Sequence, residues 1–399
     1  MEPTSTAEWK QVESLLPEGW RELADDMGLV RKRPPHVGQK VLEISIALRL
    51  ILHYVAQRGS MRMTTAAAAT AKIVSISQPA LFKWMYKIGS YLQALIARMV
   101  EPGRFASERW GGYVLVVADA STVQRPGAKG TTARLHYALH LSNLSPRFVR
   151  ITDEKVGETA RNFDPQPGEL WILDRGYANP PSVQAIDQGG AAILVRHQRH
   201  TLPVYDARGR RVDVRKLVAQ TPQRGRARQH GVRVHLPDGR KLRARLCWIW
   251  LPKPDAAQAR AHAQRDGEKD PVELHMAEYI VVLTTAPSAR LSAEQALEAY
   301  RARWQVELDF KRDKSIGGLD MLPSLIPRTI HSWLCAKVLL ALIVKRLAAQ
   351  SVAIPPCGLC DALIPVTPQV RARDGAGAMV RDGVHLETSS RCVGIHQAA

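Results

Sequence analysis

Three short apolar runs constrain this chain more than anything else in it. Tyr113 to Ala118 (YVLVVA) runs straight into Asp119, Leu170 to Leu173 (LWIL) into Asp174, and a third run, AAILVRH, begins at Ala191. Apolar runs of this length, rich in Val, Ile and Leu, read as buried strands. TARLHYALHL from Thr132 alternates as a second strand would, FVRIT at Phe148 to Thr152 reads as a third, and Asn179 to Gln188 has helical spacing. Strands interleaved with helices imply an α/β sheet. Polar residues at the carboxyl ends of strands in such sheets are where ligands bind. Asp119, in the turn DAST, and Asp174 each follow a predicted strand. Either Asp alone is better explained as a turn residue or a helix cap; two of them together with a helix Glu in one chain weaken that explanation.

A third carboxylate comes from the stretch Leu291 to Gly318, LSAEQALEAYRARWQVELDFKRDKSIGG, which reads as one amphipathic helix. Ser292 is a candidate N-cap with Gln295 in capping-box position, and Gly317 and Gly318 supply the stop. At about 100° per residue, Tyr300, Arg303, Glu307 and Lys314 fall within an arc of roughly 60° on one face. A carboxylate flanked by two cations and a phenol fits a metal-bound phosphate. Glu and Arg at this spacing also make an ordinary surface ion pair.

Charge points to the partner. Lys and Arg number 56 against 37 Asp and Glu, a formal +19, and 45% of the residues are hydrophobic. The chain can therefore bury a core, and its cationic excess suits a polyanion, whose condensed counterions are released on binding. Arg196 to Arg245 holds fifteen Lys or Arg against three Asp, +12 of that +19. With the Asp238-Gly239 turn and alternation such as VRVHLPDGRKLRARLCWIWL, residues 196 to 285 read as a basic β-rich insertion ending in the strand YIVVLTT from Tyr279. Trp248 and Trp250 fit core packing better than base stacking. The N-terminus, MEPTSTAEWK, is polar and acidic, unlike a signal peptide. No apolar run reaches membrane-spanning length. The expectation is a cytoplasmic protein with reduced cysteines. Cys357 and Cys360 form a CxxC without a matching second pair, Cys392 and His396 notwithstanding, so zinc is not expected.

Helical spacing governs the first hundred residues. After a lead ending in RKRPPHVGQK, Val41 to Gln57 and Thr64 to Lys72 read as helices. Ser77 caps and Pro79 opens a longer one, SQPALFKWMYKIGSYLQALIARM, with Leu81, Met85 and Ile88 inward and Lys83 and Lys87 outward. Short helix, turn, longer helix is the pattern of a helix-turn-helix, though any small bundle produces it. Thr329 to Gln350 is a further apolar helix, expected to pack on the sheet. The tail beyond Pro355 is rich in Pro, Gly and Arg and has little periodicity.

Phosphodiester cleavage or joining needs charge neutralised on the attacking and leaving oxygens, and two divalent ions about 3.5–4 Å apart do this. Magnesium prefers hard oxygens and keeps several waters, so a few carboxylates suffice. Asp119 is then the expected bridging ligand, with Asp174 and Glu307 each holding one side. Arg303 and Lys314 clamp flanking phosphates, and Tyr300 donates to another.

The order Asp119, Asp174, then Tyr300-x2-Arg303-x3-Glu307-x6-Lys314, with LDRGY around Asp174 and RARWQVELDFKRDKS around Glu307, resembles the insertion-sequence DDE transposases of the YREK group, the IS-four family. The resemblance covers about residues 40 to 350. It implies an RNase H-like mixed sheet flanked by helices, interrupted by a β-rich insertion and preceded by an N-terminal helical DNA-binding domain. The expected divisions are 1–105 (helical, DNA-binding), 106–195 and 286–350 (catalytic core), 196–285 (basic β insertion) and 351–399 (divergent tail). It also implies Mg²⁺ or Mn²⁺ as two ions, and Asp119, Asp174 and Glu307 as catalytic triad assisted by Tyr300, Arg303 and Lys314. The implied partner is double-stranded DNA, as transposon inverted repeats and as target, gripped by a homodimer in a synaptic complex. By that likeness the chemistry is strand nicking, 3′-hydroxyl attack and strand transfer. Two other readings are a non-catalytic helix-turn-helix regulator and a structure-selective nuclease on the same core; the regulator has no need of three separated carboxylates.

Overall fold

The strand β2 (Tyr113–Val123) joins an antiparallel half of the sheet to a parallel one in the computed structural model of this chain. The structure describes residues 5–29, 42–57, 59–100, 109–125, 130–304, 306–308, 318, 322 and 326–351, all within the unit formed by residues 1–363. On one side β2 pairs antiparallel with β3 (Ala133–His140), which pairs antiparallel with β4 (Pro146–Asp153). On the other it runs parallel to β5 (Glu169–Leu173), itself parallel to β6 (Ala192–Arg196). Three antiparallel strands followed by two parallel ones, in the order β4-β3-β2-β5-β6, make the RNase H-like sheet that was expected. The helix α7 (Pro180–Gln188), capped by the Asn179 side chain on Ser182 N, forms the β5–β6 crossover.

The predicted insertion does not stand apart from that sheet. The strands β7 (Ala227–His235) and β8 (Lys241–Trp250) form the hairpin expected around Gly239, whose φ of +84° suits glycine. β9 (Tyr279–Thr284) then pairs antiparallel with both β8 and β6, so the nine-stranded sheet continues through the insertion. Three helices that alternation did not reveal, Val214–Ala219, Lys253–Arg265 and Pro271–Met276, lie in the same region. Trp248 is buried, and its indole N–H donates to Thr221 Oγ1 at 2.7 Å.

One core joins the N-terminal helices to a face of the sheet. Leu48, Ile51, Leu81, Met85, Ile88, Leu92 and Leu95 are all buried in it together with Leu115, Val117, Leu170 and Ile172. Burial of each such side chain contributes about 1.5–3 kcal/mol. The C-terminal apolar helix, Pro327–Ser351, belongs to this core too and meets the sheet chiefly at β4, most of its packing being on the N-terminal helices. The expectation that it packs on the sheet holds only in that limited sense. The predicted helix after Ser77 is two helices, Gln78–Lys87 and Gly89–Met99, meeting at Ile88. On the second face of the sheet, α7 and the helix Val214–Ala219 share a core with Trp171, Tyr177 and Phe163 and with Val232, Val234, Leu246 and Trp248 of the β7–β8 hairpin.

Two further expectations need correction. Asp119 is not in a turn: β2 continues past it, and Asp119 to Val123 pair in register with Tyr137 to Ala133 of β3. Local sequence suggested a turn, but the ladder to β3 gives these residues partners. The Leu291–Gly318 stretch is not one regular helix either. The helix α11 (Ala293–Arg301) ends at Ala302, where the backbone tightens to i→i+3 bonds, Arg303 N to Tyr300 O and Val306 N to Arg303 O. Residues 306–308 are helical again. Lys314 lies outside the described residues, as do Cys357, Cys360, Cys392 and His396.

Candidate active site

Strand register alone brings the two aspartates together. The parallel ladder between β2 and β5 ends at Val117 opposite Ile172. Continuing it by two residues sets Asp119 beside Asp174, with adjacent strands about 4.8 Å apart. A step of two also keeps both side chains on the face of Leu115, Val117, Leu170 and Ile172, and that is the face α11 covers.

The position of α11 is fixed at its N-terminus. Gln295 N donates to Ser292 Oγ at 3.1 Å and Ser292 N to Gln295 Oε1 at 2.8 Å, the expected capping box. Buried Arg245 on β8 donates to Ala286 O at 2.8 Å and also to Leu291 O, tying the β9–α11 connection to the sheet. Arg290 donates to Gly111 O and Gly112 O in the turn before β2 and stacks on Tyr113. Both glycines have positive φ, and a Cβ at Gly111 would lie 2.0 Å from Arg290 O. The turn thus needs glycine both for its backbone and for this close approach.

From that anchor α11 delivers Tyr300 and Arg303 over the aspartates. The Tyr300 hydroxyl donates to Asp174 Oδ1 at 3.5 Å, a long contact. Arg303 lies among all three predicted acids: Nη1 is 3.9 Å from Asp119 Oδ2, Nε 3.8 Å from Asp174 Oδ1 and Nη2 2.5 Å from Glu307 Oε1. Only the Glu307 contact is a hydrogen bond, and Nη1 is buried without a partner. Five of the six predicted site residues are therefore brought together; the sixth, Lys314, is outside the described residues.

The electrostatics are those of a centre short of positive charge. Burial raises Asp119 to about 6, the Ala120 amide opposes this, and repulsion from Glu158 and Asp174 adds to it against the attraction of Arg303. Burial and the Asp174 charge push Tyr300 up to about 12, so it remains a hydrogen-bond donor. Burial works against the Arg303 charge, but Asp174 and Glu307 outweigh it and its pKa is raised. Glu158, in the β4–β5 connection, was not singled out by the sequence, because an acid in a loop carries no period or spacing that marks it. Burial raises its pKa, and the neighbouring Asp174 adds to the rise.

Does this donor set fit divalent cations? Hard carboxylate oxygens of excess negative charge suit Mg²⁺ or Mn²⁺. Among the described residues, however, no three acid, His or Cys side chains yet draw together as a metal-holding group. They ring the Arg303 guanidinium instead. The chemistry of the set fits, and the Arg303 guanidinium lies within 4.0 Å of each of the three carboxylates.

Comparison with known proteins now bears on this arrangement. The transposase DDE domain profile matches residues 110–343, more than half of the chain and all of the sheet apart from the first residue of its shortest strand. The chain belongs to the DDE transposase family. It is 26% identical over 328 residues to the putative transposase InsL of insertion sequence element IS186A from Escherichia coli K12, covering 80% of this chain and 88% of that protein. It is likewise 26% identical over 329 residues to the transposase of insertion sequence element IS421 from Escherichia coli, with the same coverage. As a DDE transposase it carries the resemblance read from its YREK spacing, and no helix among its described residues is long and apolar enough to cross a membrane.

Proposed function

We propose that Asp119, Asp174 and Glu307 hold two divalent ions, Mg²⁺ or Mn²⁺, and that this DDE transposase cuts DNA at the ends of its element and joins them to a target. One observation carries the reading: Arg303 lies within 4.0 Å of carboxylates that come from positions 119, 174 and 307. Such a convergence serves no regulator that only binds DNA. Bound ions would acidify the attacking water and neutralise charge on the scissile phosphate. Tyr300 is placed to donate its hydroxyl to the Asp174 carboxylate. Arg303, released from the acids, is placed to grip a phosphate with its fork of donors, and Lys314 is assigned the next phosphate along.

Substrate recognition is assigned to the rest of the chain. The exposed Lys83 and Lys87 lie on the helix Gln78–Lys87, where the N-terminal helices meet inverted-repeat DNA. Lys87 is partly engaged already, stacking on Trp84 and donating to Leu29 O. The arginine-rich β7–β8 region takes up phosphates of the same duplex or the target. Residues 1–105 and 196–285 are in this reading the DNA-gripping parts, and 106–195 with 286–350 the catalytic core. A homodimer synapsing two ends is the working unit. The test is nicking of DNA that carries the element's inverted repeats, in Mg²⁺ or Mn²⁺. Glu307→Gln is expected to abolish nicking and keep binding; a variant that cuts normally rules the reading out.

A further inference from the structure

Glu158 is the acid that the triad leaves unexplained. It stands in the connection between β4 and β5, two residues before the short turn Ala160–Asn162. The backbone on both sides of it is fixed from several directions. Asn162 Nδ2 donates to Gly157 O at 2.9 Å, Ala160 N reaches Ser182 Oγ at 3.4 Å, and Arg134 Nη1 donates to Val156 O. A loop held this way places its side chain rather than letting it wander.

The carboxylate rests against the chain just beyond Asp174. A Cβ at Gly176 would lie 3.5 Å from Glu158 Oε1 and 3.8 Å from its Cδ, ordinary contact distances, so the carboxylate lies directly against this residue. Tyr177, with no exposed surface, directs its hydroxyl toward Glu158, with Asp119 also close enough to act on it electrostatically. The hydroxyl faces Glu158 without a well-formed hydrogen bond to it or to any other group. A fully buried, unpartnered hydroxyl is costly. Its placement beside these acids points to a ligand that draws them into order. Gly176 and Tyr177 stand two and three residues beyond Asp174, so Glu158 lies at the end of β5 that carries Asp174.

We propose that Glu158 is a fourth carboxylate of the divalent-cation centre, held by the β4–β5 connection against Gly176 and Tyr177 beside Asp119 and Asp174. The proposal rests on the metal reading above and extends it. Glu158 is exposed to solvent, which leaves coordination positions to water and to a phosphate oxygen. The competing role is structural: Arg134 also acts on the Glu158 charge, and Glu158 would then only balance that arginine.

The experiment is Mn²⁺ binding to the DNA-free full-length protein, followed by calorimetry or by the spin-resonance signal of free Mn²⁺, with thermal unfolding as a check of fold. Glu158→Gln is expected to weaken Mn²⁺ binding roughly tenfold or more, the loss typical when a group supporting a metal site is removed. Glu158→Asp, which keeps the charge but withdraws it by one methylene, is expected to fall between Gln and the parent and covers the case of a misfolded Gln variant. Asp119→Asn runs alongside. If both Glu158 variants bind Mn²⁺ like the parent while Asp119→Asn does not, the fourth carboxylate is overturned and the metal centre stands. If Asp119→Asn also binds like the parent, the metal centre falls and this proposal with it.

Discussion

The two ends of β5 carry an acid each, and the two are treated in opposite ways. At the start of the strand, Glu169 is buried and fully engaged. Arg147 Nε donates to it at 2.6 Å, Trp171 Nε1 at 2.8 Å and the Gln166 amide at 2.8 Å. Arg147, equally buried, spends a second nitrogen on Asp164 O. Just past the other end, Asp174 has a long contact from Tyr300 and a loose one from Arg303, and its side chain is 42% exposed. Arg303 Nη1, near Asp119, and the Tyr177 hydroxyl, facing Glu158, have no hydrogen-bond partner. A buried charge that is only structural has its partners built in. A site that must receive a cation and a phosphate keeps some of that capacity unspent, and part of the stability is given up for it.

Substitution at the two ends should separate activity from stability. The largest effect is expected at the active end: Asp174→Asn should lower nicking on the order of 10³-fold, the several kcal/mol a metal supplies to the transition state, with little change in unfolding midpoint. The next is at the structural end. Glu169→Gln leaves Arg147 as an uncompensated buried charge and should cost about 3–5 kcal/mol in denaturant unfolding, leaving Mn²⁺ affinity of the folded fraction unchanged. Equal behaviour of the two variants would erase the contrast.

A smaller effect sharpens it through pH. The folded-state pKa of Asp119 is raised from 3.8 to about 6. Folding is therefore favoured while Asp119 is protonated, and this contribution is lost as pH rises through the folded value. In the metal-free protein at pH 7.5, Asp119→Asn should thus be more stable than the parent, on the order of 1–3 kcal/mol. Below about pH 4 the difference should vanish. Unfolding curves of both proteins at the two pH values measure it; a variant less stable than the parent at pH 7.5 contradicts the strained-site picture.

What the sequence disclosed follows the same division. Strand runs, the Asp238-Gly239 turn and the Ser292–Gln295 capping box are local patterns, and each was legible. Asp119 and Asp174 were legible because an apolar run announces its own end, although β2 in fact runs on through Asp119. The break at Ala302–Arg303 was not, since no Pro or Gly marks it and a 100° projection assumes an unbroken helix. Its consequence was limited: Tyr300 and Arg303 still reach the acids, because Arg245, Arg290 and the capping box fix where α11 starts. Glu158 was invisible because only the β4–β5 connection, folded back on Gly176, carries it to Asp174.

Diffraction from crystals grown with Mn²⁺, recorded for anomalous signal, tests the central claim most directly. The account predicts Mn²⁺ peaks bounded by the Asp119 and Asp174 carboxylates, with the Arg303 guanidinium displaced from its present place among the acids. A protein saturated with Mn²⁺ that shows no peak there, and Arg303 still ringed by Asp119, Asp174 and Glu307, would contradict it.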